Sequence, residues 1–578
     1  MTAPGPRPAD AGSVGARLSD FAAGPVSGPA VLWEFGARLC LLGDTHIGAA
    51  HDTPRGDVDR LIDRDPADGR PRLRATTQAG LLRHHLAARL GAAGAAACAD
   101  LFGEAALPRG EETDPAASTR SAIDIDDAFA DLPDEAGVAV RAGNRVDPAS
   151  GAAVPGALWH MEILPAGTRF TLTFRLCVAD PDAEGRLLAL TALAAEGMAG
   201  HGPGPGISIG ARTARGYGAV RTDAWYARRH DLRTPEGWAS WYAPTWKHRW
   251  QRAHQAVAGS AAETSAKSLR HLLGERLETD AALAAAVKSR YSDTVAAYGT
   301  DQRHRDELTM TLRLAERPTE AFLPAARPDT VPRPGLLMVG GVPGPESLGE
   351  VDRTHLRRPR LTRSGAVEWR PALGDTALFA LLKRLSRRLI RDISGEAALA
   401  LRDWPEQSPG RRLHVHWWGG ENKPGAAPAS SRIRLRETAE LIGGTTQRTV
   451  RVTIDALFGD AVDTRFFSDD VHAGGQARVT LDIHRPDNAV RGLLALIVRE
   501  LHTVPLDAIG GGSGIGNGRL ALTEAVLTRY APEAAPAPVD LVAAIDDAHG
   551  PERAVVAPWL QALRAAVAPR RRVGEAIP

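Results

Sequence analysis

The sequence is poor in cysteine and contains no long apolar run. Its 578 residues include three cysteines, Cys40, Cys98 and Cys177, which lie far apart and form no Cys-x-x-Cys pair. This spacing excludes a thiolate zinc site and a disulfide framework. No stretch approaches the roughly 18 consecutive apolar residues that a membrane span needs, and the N-terminus lacks the basic start and apolar core of a signal peptide. We therefore expect a cytoplasmic protein with no membrane partner.

Lysine and a charge excess of either sign are also scarce. The net charge is +1, and only five of the 70 basic residues are lysine. A GC-rich genome explains this arginine bias, although guanidinium groups also suit phosphate recognition. Because the whole chain is not a polycation, any nucleic-acid surface must be local.

The order of predicted elements begins again near residue 304. GDVDR (56–60) returns as GEVDR (349–353), residues 146–167 align without a gap on 454–475, and IGARTARGYG (209–218) corresponds to IGGGSGIGNG (509–518). Several matches in one order indicate a tandem duplication of one domain. The predicted divisions are a flexible tail (1–28), a first repeat (29–235), a Trp-rich helical linker (236–303), a second repeat (304–530) and a C-terminal helical extension with a basic tail (531–578).

Each repeat is predicted to contain a strand, a helix, two strands with a long insertion, a helix, a glycine-rich loop and a strand. This is the β-α-β-β-α-β order of a ferredoxin-like (RRM-like) unit, in the α+β class. The insertions, 104–165 and 421–474, are predicted to project like thumbs. Four tryptophans between residues 238 and 250 are interpreted as packing residues rather than as a platform for stacked bases.

Several segments of the first repeat resemble the RAMP superfamily of CRISPR-associated proteins. They are THIG (45–48), GDVDR (56–60), RDPADGRP (64–71), TTQAGLLR (76–83), LFG (101–103), RVDPASGAAVPGALWHMEILPAGTRF (145–170) and IGARTARGYGAV (209–220). The likeness is to the repeated backbone subunit of type III CRISPR effector complexes, and the second repeat keeps the order in a more divergent form. The resemblance implies two RAMP domains fused in one chain that serves antiviral defence, with guide crRNA, complementary target RNA and other effector subunits as partners.

Guide binding without sequence readout requires contacts to phosphates and to RNA shape. Glycine-rich loops allow backbone N–H groups to approach phosphates closely; we name residues 209–218 the first glycine-rich loop and residues 509–518 the second. Together with the resemblance, this predicts the RNA-binding residues His46, Gly80, Arg83, Gly210, Arg212, Arg215, Gly216, Gly218, Gly510, Gly514, Gly518 and Arg519. No GxxxxGK[ST] sequence occurs, so no nucleotide cofactor is expected.

The resemblance also implies cleavage of the bound target RNA. In similar subunits an aspartate in the loop after the first strand supports metal-dependent scission, and the motifs place it at Asp59 and, through the repeat, at Asp352. The RNA 2′-OH would attack the adjacent phosphorus in line, while the carboxylate holds a divalent cation, Mg²⁺, or helps to remove the proton. Asp57, Asp63 and Asp65 lie close enough to be alternatives to Asp59.

Two other functions fit parts of the sequence. A non-catalytic scaffold would have the same fold and bind RNA without cutting it. A metallophosphoesterase would use Asp44 and His46 as an Asp-x-His motif and Gly56-Asp57 as a Gly-Asp motif, but the Gly-Asn-His motif it requires is replaced by Gly143-Asn144-Arg145.

Overall fold

A computed structural model describes residues 28–49, 58–104, 120–132, 137–147, 154–202, 204–258, 268–315, 334–341, 351–362, 364–420, 430–503 and 507–568. The predicted flexible tail, apart from Gly28, and the predicted basic tail lie outside these residues. The described part is a mixed α/β structure with several small antiparallel sheets.

Eight strands and seven helices are described in the first half. The strands are β1 Val31–Leu41, β2 Arg72–Leu73, β3 Ile123–Ile125, β4 Ala128–Asp131, β5 Ala139–Gly143, β6 Trp159–Ile163, β7 Arg169–Val178 and β8 Val220–Asp231. The helices are α1 Ala75–Leu90, α2 Gly94–Phe102, α3 Glu184–Ala195, α4 Pro235–Tyr242, α5 Trp246–Ala258, α6 Leu269–Thr279 and α7 Ala281–Tyr298.

Twelve strands and five helices are described in the second half. The strands are β9 Arg305–Leu314, β10 Leu336–Leu337, β11 Gly340–Gly341, β12 Arg353–His355, β13 Arg357–Leu361, β14 Val367–Pro371, β15 Ile433–Leu435, β16 Thr445–Ile454, β17 Ala461–Ala473, β18 Gln476–His484, β19 Leu520–Tyr530 and β20 Ala537–Asp540. The helices are α8 Asp375–Ser394, α9 Pro409–Trp418, α10 Asn488–Thr503, α11 Leu541–Asp546 and α12 Pro551–Val567.

The main sheets of the two halves have the same strand order. In the first, β3 and β4 pair with β7, β7 with β1, and β1 with β8. In the second, β15 pairs with β18, β18 with β9, and β9 with β19. All these pairs are antiparallel, and a helix follows the first and the third strand of each set. This is the connectivity of a ferredoxin-like unit.

Alternation along the strands separates the two faces of the first sheet. In β7, Phe170, Leu172 and Phe174 are buried in the core with α1 and α3, whereas the intervening Thr171 and Thr173 face the other side. Helix α5 covers that other side. Gly36 of β1 permits this close packing, because its Cβ position lies 3.4 Å from the Ala253 Cβ.

Each core also includes helices that follow its last strand. Leu272, Leu273 and Val287 of α6 and α7 are buried in the first core, and Trp559 and Leu563 of α12 are buried in the second. The helices between residues 268 and 298 and those after residue 540 therefore pack as parts of the two cores.

Candidate nucleic-acid interface

Asp59 is an exposed residue of the segment that follows β1. Its N–H donates to the carbonyl oxygen of His160 over 3.1 Å, and its Oδ2 accepts the N–H of His160 over 2.7 Å. Because His160 belongs to β6, this reciprocal pair ties the acidic loop to the β5–β6 hairpin. Within the described residues the carboxylate makes no ion pair, so it is available to a ligand.

Asp352 makes the same pair of contacts in the second half. Its N–H donates to the carbonyl oxygen of Ser468 of β17 over 2.8 Å, and its Oδ2 accepts the N–H of Ser468 over 2.7 Å. The gapless alignment of 146–167 on 454–475 pairs Ser468 with His160. The two aspartates therefore occupy equivalent positions, each beside the second strand of an inserted hairpin.

The neighbouring acids have structural partners. Asp63 is buried and forms ion pairs with Arg72, at 3.1 Å, and Arg74, at 2.6 Å. Burial raises the pKa of Asp63, but the two guanidinium groups outweigh it and leave that pKa lowered. Asp65 caps a turn, since its Oδ1 accepts the N–H of Ala67 over 2.8 Å. Asp57 lies outside the described residues.

Metal binding at Asp59 or Asp352 would need ligands from outside the protein. Among the described residues, no three His, Cys, Asp or Glu side chains come together as a metal site. A single exposed carboxylate still fits Mg²⁺, which keeps several waters and takes its other ligands from substrate phosphates. Asp59 and Asp352 would each hold such an ion jointly with RNA, and the ion would stabilise charge on the attacked phosphate.

The first glycine-rich loop crosses the segment after β1. The N–H of Ala211 donates to the carbonyl oxygen of His46, and the N–H of Gly218 donates to that of Asp44, both over 3.0 Å. Gly210 has a φ of +81°, and a Cβ at this position would lie 2.1 Å from the His46 carbonyl oxygen. The close crossing of two backbones therefore requires glycine here.

The second glycine-rich loop repeats this crossing. The N–H of Gly511 donates to the carbonyl oxygen of Met338, and the N–H of Gly518 donates to that of Leu336, both over 2.7 Å. Gly510 has a φ of +77°. The two loops thus share one backbone geometry although their side chains differ.

The tip of the second loop is open. A Cβ on Gly514 would meet no atom within 4 Å, and the side chain of Ile515 is exposed. Arg519, just after the loop, forms no ion pair in the described part of the chain and is half-buried.

Arg212 in the first loop stacks on a protein ring. Its guanidinium lies 3.8 Å from the ring centroid of Trp159, and burial together with Arg215 lowers the pKa of Arg212 to about 10. Its φ is +61°, which is unusual for a residue other than glycine, and the second loop has Gly512 at the corresponding position with a φ of +76°. The first loop therefore adopts an unfavourable backbone conformation while placing a cation against the thumb-like insertion.

Arg215 and Gly216 lie where the first loop contacts the second half. The N–H of Leu435 in β15 donates to the carbonyl oxygen of Ala214 over 3.0 Å. A Cβ on Gly216 would lie 2.6 Å from the carbonyl oxygen of Glu437. This side of the loop therefore packs against protein.

A cleft of about 450 Å³ lies between α1, the first glycine-rich loop and the start of β15. Leu81 and His84 of α1 line one wall, and Thr213 of the loop lines another. Gly80 and Arg83 belong to the same helix; Gly80 faces open space, and Arg83 has no ion pair among the described residues. None of the predicted RNA-binding residues lines the cleft itself, although the helix and the loop that carry them form two of its walls.

The lining of this cleft contains arginine and histidine but no carboxylate. The full charged and titratable lining is His84, His85, Arg303, His304, Arg432, Arg434, His484 and Arg485. Burial, reinforced by nearby guanidinium groups, lowers the pKa of His85 and of His484 to about 3, so both are neutral at pH 7. Arg303 forms an ion pair with Asp301 at 2.6 Å, so the positive charge of the cleft comes from Arg432, Arg434 and Arg485.

His46 and Asp44 are placed differently from the other predicted residues. His46 is buried, and its Nδ1 lies 2.8 Å from the carbonyl oxygen of Glu162, so only a rearrangement would bring its ring to RNA. Asp44 is also buried and forms an ion pair with Arg358 at 3.2 Å. Asp44 and His46 therefore lie in the protein interior with protein partners, and this does not favour the hypothesis of a metallophosphoesterase.

Sequence reasoning missed the contribution of the second half to this cleft. Arg432, Arg434 and Arg485 line it, and none of the three is within ion-pair distance of a carboxylate among the residues that the structure describes. They occur in no motif, and only the fold brings β15 and the end of β18 next to α1. A scan for arginines flanking short strands would have found Arg432 and Arg434 among many others.

The RAMP superfamily model matches residues 38–221, which span the chain from β1 into β8. No curated protein matches the sequence. The family match covers about a third of the chain. It supports the resemblance of the first repeat to the RAMP superfamily of CRISPR-associated, RNA-binding proteins. None of the helices in the described ranges has the length and hydrophobicity that crossing a membrane requires.

Proposed function

We propose that this protein is a guide-RNA-binding backbone subunit of a type III CRISPR effector complex, built as two fused RAMP domains. The observation that carries the proposal is the cleft without carboxylates in its lining, because two of its walls come from α1 and the first glycine-rich loop, the elements that carry the predicted guide-contacting residues. Arg432, Arg434 and Arg485, which lack carboxylate partners among the described residues, suit a phosphate backbone.

Purification with bound RNA tests guide binding. The protein would be isolated from its native host, and the accompanying RNA would be sequenced. We expect small RNAs with a uniform 5′ sequence. Replacing Arg432 and Arg434 with alanine should reduce the bound RNA, because two phosphate contacts are removed. R402A, which replaces an exposed arginine outside the cleft, is the control variant. RNA of random sequence, or equal loss in both variants, would contradict this function.

We further propose that the bound target RNA is cut at Asp59 and Asp352. The equivalent hydrogen bonds of the two carboxylates to His160 and Ser468 support this, because they place an acid without an ion pair beside the second strand of each inserted hairpin. The hairpins would hold the guide–target duplex so that the 2′-OH attacks in line. In this arrangement each carboxylate would hold a Mg²⁺ ion jointly with the RNA or accept the proton of the attacking 2′-OH. The 2′-oxygen would form a cyclic phosphate as the bond from phosphorus to the 5′-oxygen of the next nucleotide breaks, and that oxygen would leave with a proton from water.

Isosteric substitution separates cutting from binding. With guide and Mg²⁺ present, D59N should abolish one set of cuts in a complementary target RNA and D352N the other, with rates at least about 100-fold lower. Guide content should stay unchanged, since the side-chain oxygen can still accept the backbone hydrogen bond. D68N, in an exposed turn, is the matched control. A wild-type protein that binds guide and target without cutting would identify the non-catalytic scaffold.

A further inference from the structure

Four aromatic side chains of α4 and α5 remain exposed on the surface. Trp238 and Tyr242 are 55% and 54% exposed, and Trp246 and Trp250 are 50% and 37% exposed. Trp241, in contrast, is buried. The interpretation of this cluster as packing is therefore right for Trp241 and does not account for the other four rings.

The exposed rings are arranged in rows along the helices. Trp238 and Tyr242 are separated by one turn of α4, and their ring centroids are 4.8 Å apart. On α5, Trp246, Trp250 and His254 follow one another at four-residue intervals, and the Trp250 and His254 rings stack at 5.0 Å with an angle of 11° between their planes. Rings four residues apart share one face of a helix.

Helix α5 carries positive charge and no acidic residue, whereas α4 contains the exposed Glu236 in its first turn. From Gly237 to Ala262 the chain contains no aspartate or glutamate. Lys247 and His248 are exposed and form no ion pair among the described residues. The guanidinium of Arg175 lies 4.8 Å from the Trp246 ring centroid. Its charge, however, is balanced by ion pairs with Asp124 at 2.8 Å and Asp126 at 2.9 Å.

We propose that α4 and α5 form a second RNA-binding surface, which takes single-stranded RNA through stacking of bases on Trp238, Tyr242, Trp246 and Trp250. Exposed aromatic rings combined with basic side chains are the chemistry that binds single strands without regard to sequence. The basic side chains of α5, a helix without aspartate or glutamate, favour a polyanion over a protein partner with mixed charge. This surface lies on the face of the first sheet opposite α1 and α3, so it is distinct from the cleft.

The position of α5 also explains why the face of the first sheet does not itself serve as the base-stacking surface. In an RRM, aromatic side chains on the open sheet face stack on bases. Here α5 covers that face: Arg252 forms an ion pair with Glu34 of β1 at 3.0 Å, and Ala253 contacts Gly36. The rings of α4 and α5 place a stacking surface on top of the covered sheet.

Photo-crosslinking tests the proposal on the full chain. The probe is a single-stranded oligouridylate of about 15 nucleotides that contains 4-thiouridine, within the site sizes typical of such surfaces. Crosslinked peptides identified by mass spectrometry should include residues 238–250. Crosslinks in the cleft, at residues 432–434, are an internal reference and report on the proposed guide site separately.

One double variant and one charge reversal with its matched control test the proposal. W238A combined with Y242A should lower crosslinking at α4 and α5 about tenfold or more, as expected for the loss of stacked bases, and should leave crosslinking in the cleft unchanged. K247E should weaken crosslinking at these helices, whereas K288E, the same charge reversal on the exposed surface of α7, should not. The proposal is wrong if no crosslink falls on α4 or α5, or if these variants leave such crosslinks unchanged; the exposed rings would then belong to a protein interface.

Discussion

Arg358 lies between two buried carboxylates from different halves of the chain. It forms ion pairs with Asp44, which follows β1, at 3.2 Å, and with Asp375, the first residue of α8. Arg141 of β5 reaches Asp375 as well, at 3.2 Å. Burial raises the pKa of Asp44. At Asp375 burial also raises the pKa, but Arg358 and Arg141 outweigh it, so that pKa is lowered. The two arginines balance the charge of the two aspartates, so removal of any one of the four side chains leaves an unbalanced charge in the interior.

Removal of Arg358 should therefore be costly. R358M would leave Asp44 without its ion-pair partner in the interior, and we expect the free energy of unfolding to fall by about 3 kcal/mol or more in urea titrations. R360A, two residues along β13, removes a partly exposed ion pair with Glu440 and should cost less than about 1 kcal/mol. Similar losses in the two variants would show that the buried network does not hold the halves together.

At the scale of single elements, glycine allows helix pairs to approach in both cores. A Cβ on Gly185 of α3 would lie 2.6 Å from the carbonyl oxygen of Val287 in α7. A Cβ on Gly492 of α10 would lie 2.4 Å from that of Trp559 in α12. Equivalent helices thus use the same residue type to admit a later helix.

Alanine at these two positions should separate the packed helices. We expect G185A and G492A each to lower the free energy of unfolding by about 1–3 kcal/mol, the usual cost of forcing extra atoms into a packed core. G274A in α6 is the matched control, because its Cβ would meet nothing within 4 Å; it should raise stability by up to about 1 kcal/mol through helix propensity. Calorimetric or urea unfolding that ranks G274A with the other two would refute this packing argument.

Element order could be predicted from the sequence where periodicity is strong. The alternation of FTLTFRLCV predicts a strand at 170–178, and β7 spans Arg169–Val178. The repeated order of elements also predicts that Asp59 corresponds to Asp352, and each of them exchanges the same two hydrogen bonds with a strand of its hairpin. Their role in cleavage stays a prediction. These features depend on local patterns that a linear sequence preserves.

The tryptophan cluster could not be resolved from sequence in the same way. Trp241 and Trp246 are five residues apart, yet one is buried and the other half exposed. Exposure depends on which face of α4 and α5 meets the first sheet, and the spacing of the tryptophans does not specify that face. The covered sheet and the exposed rings follow from this choice.

At the scale of the whole molecule, the candidate guide cleft requires both halves. Its walls come from α1 and the first loop on one side and from Arg432, Arg434 and Arg485 on the other. Gly216 of the first glycine-rich loop packs against Glu437, just after β15, whereas the second loop exposes Ile515. Two loops with one backbone geometry therefore have different surroundings.

The sequence by itself determined the ferredoxin-like element order of each half and the positions of the glycine-rich loops. It also determined that Asp59 and Asp352 correspond in the two repeats. These features depend on period, spacing and internal repetition. Only the tertiary structure decided that Asp44 and His46 are buried and that arginines of the second half complete the cleft. It also decided that α5 covers the first sheet. The physical reason is that burial and charge pairing depend on contacts between residues hundreds of positions apart, which no local pattern encodes.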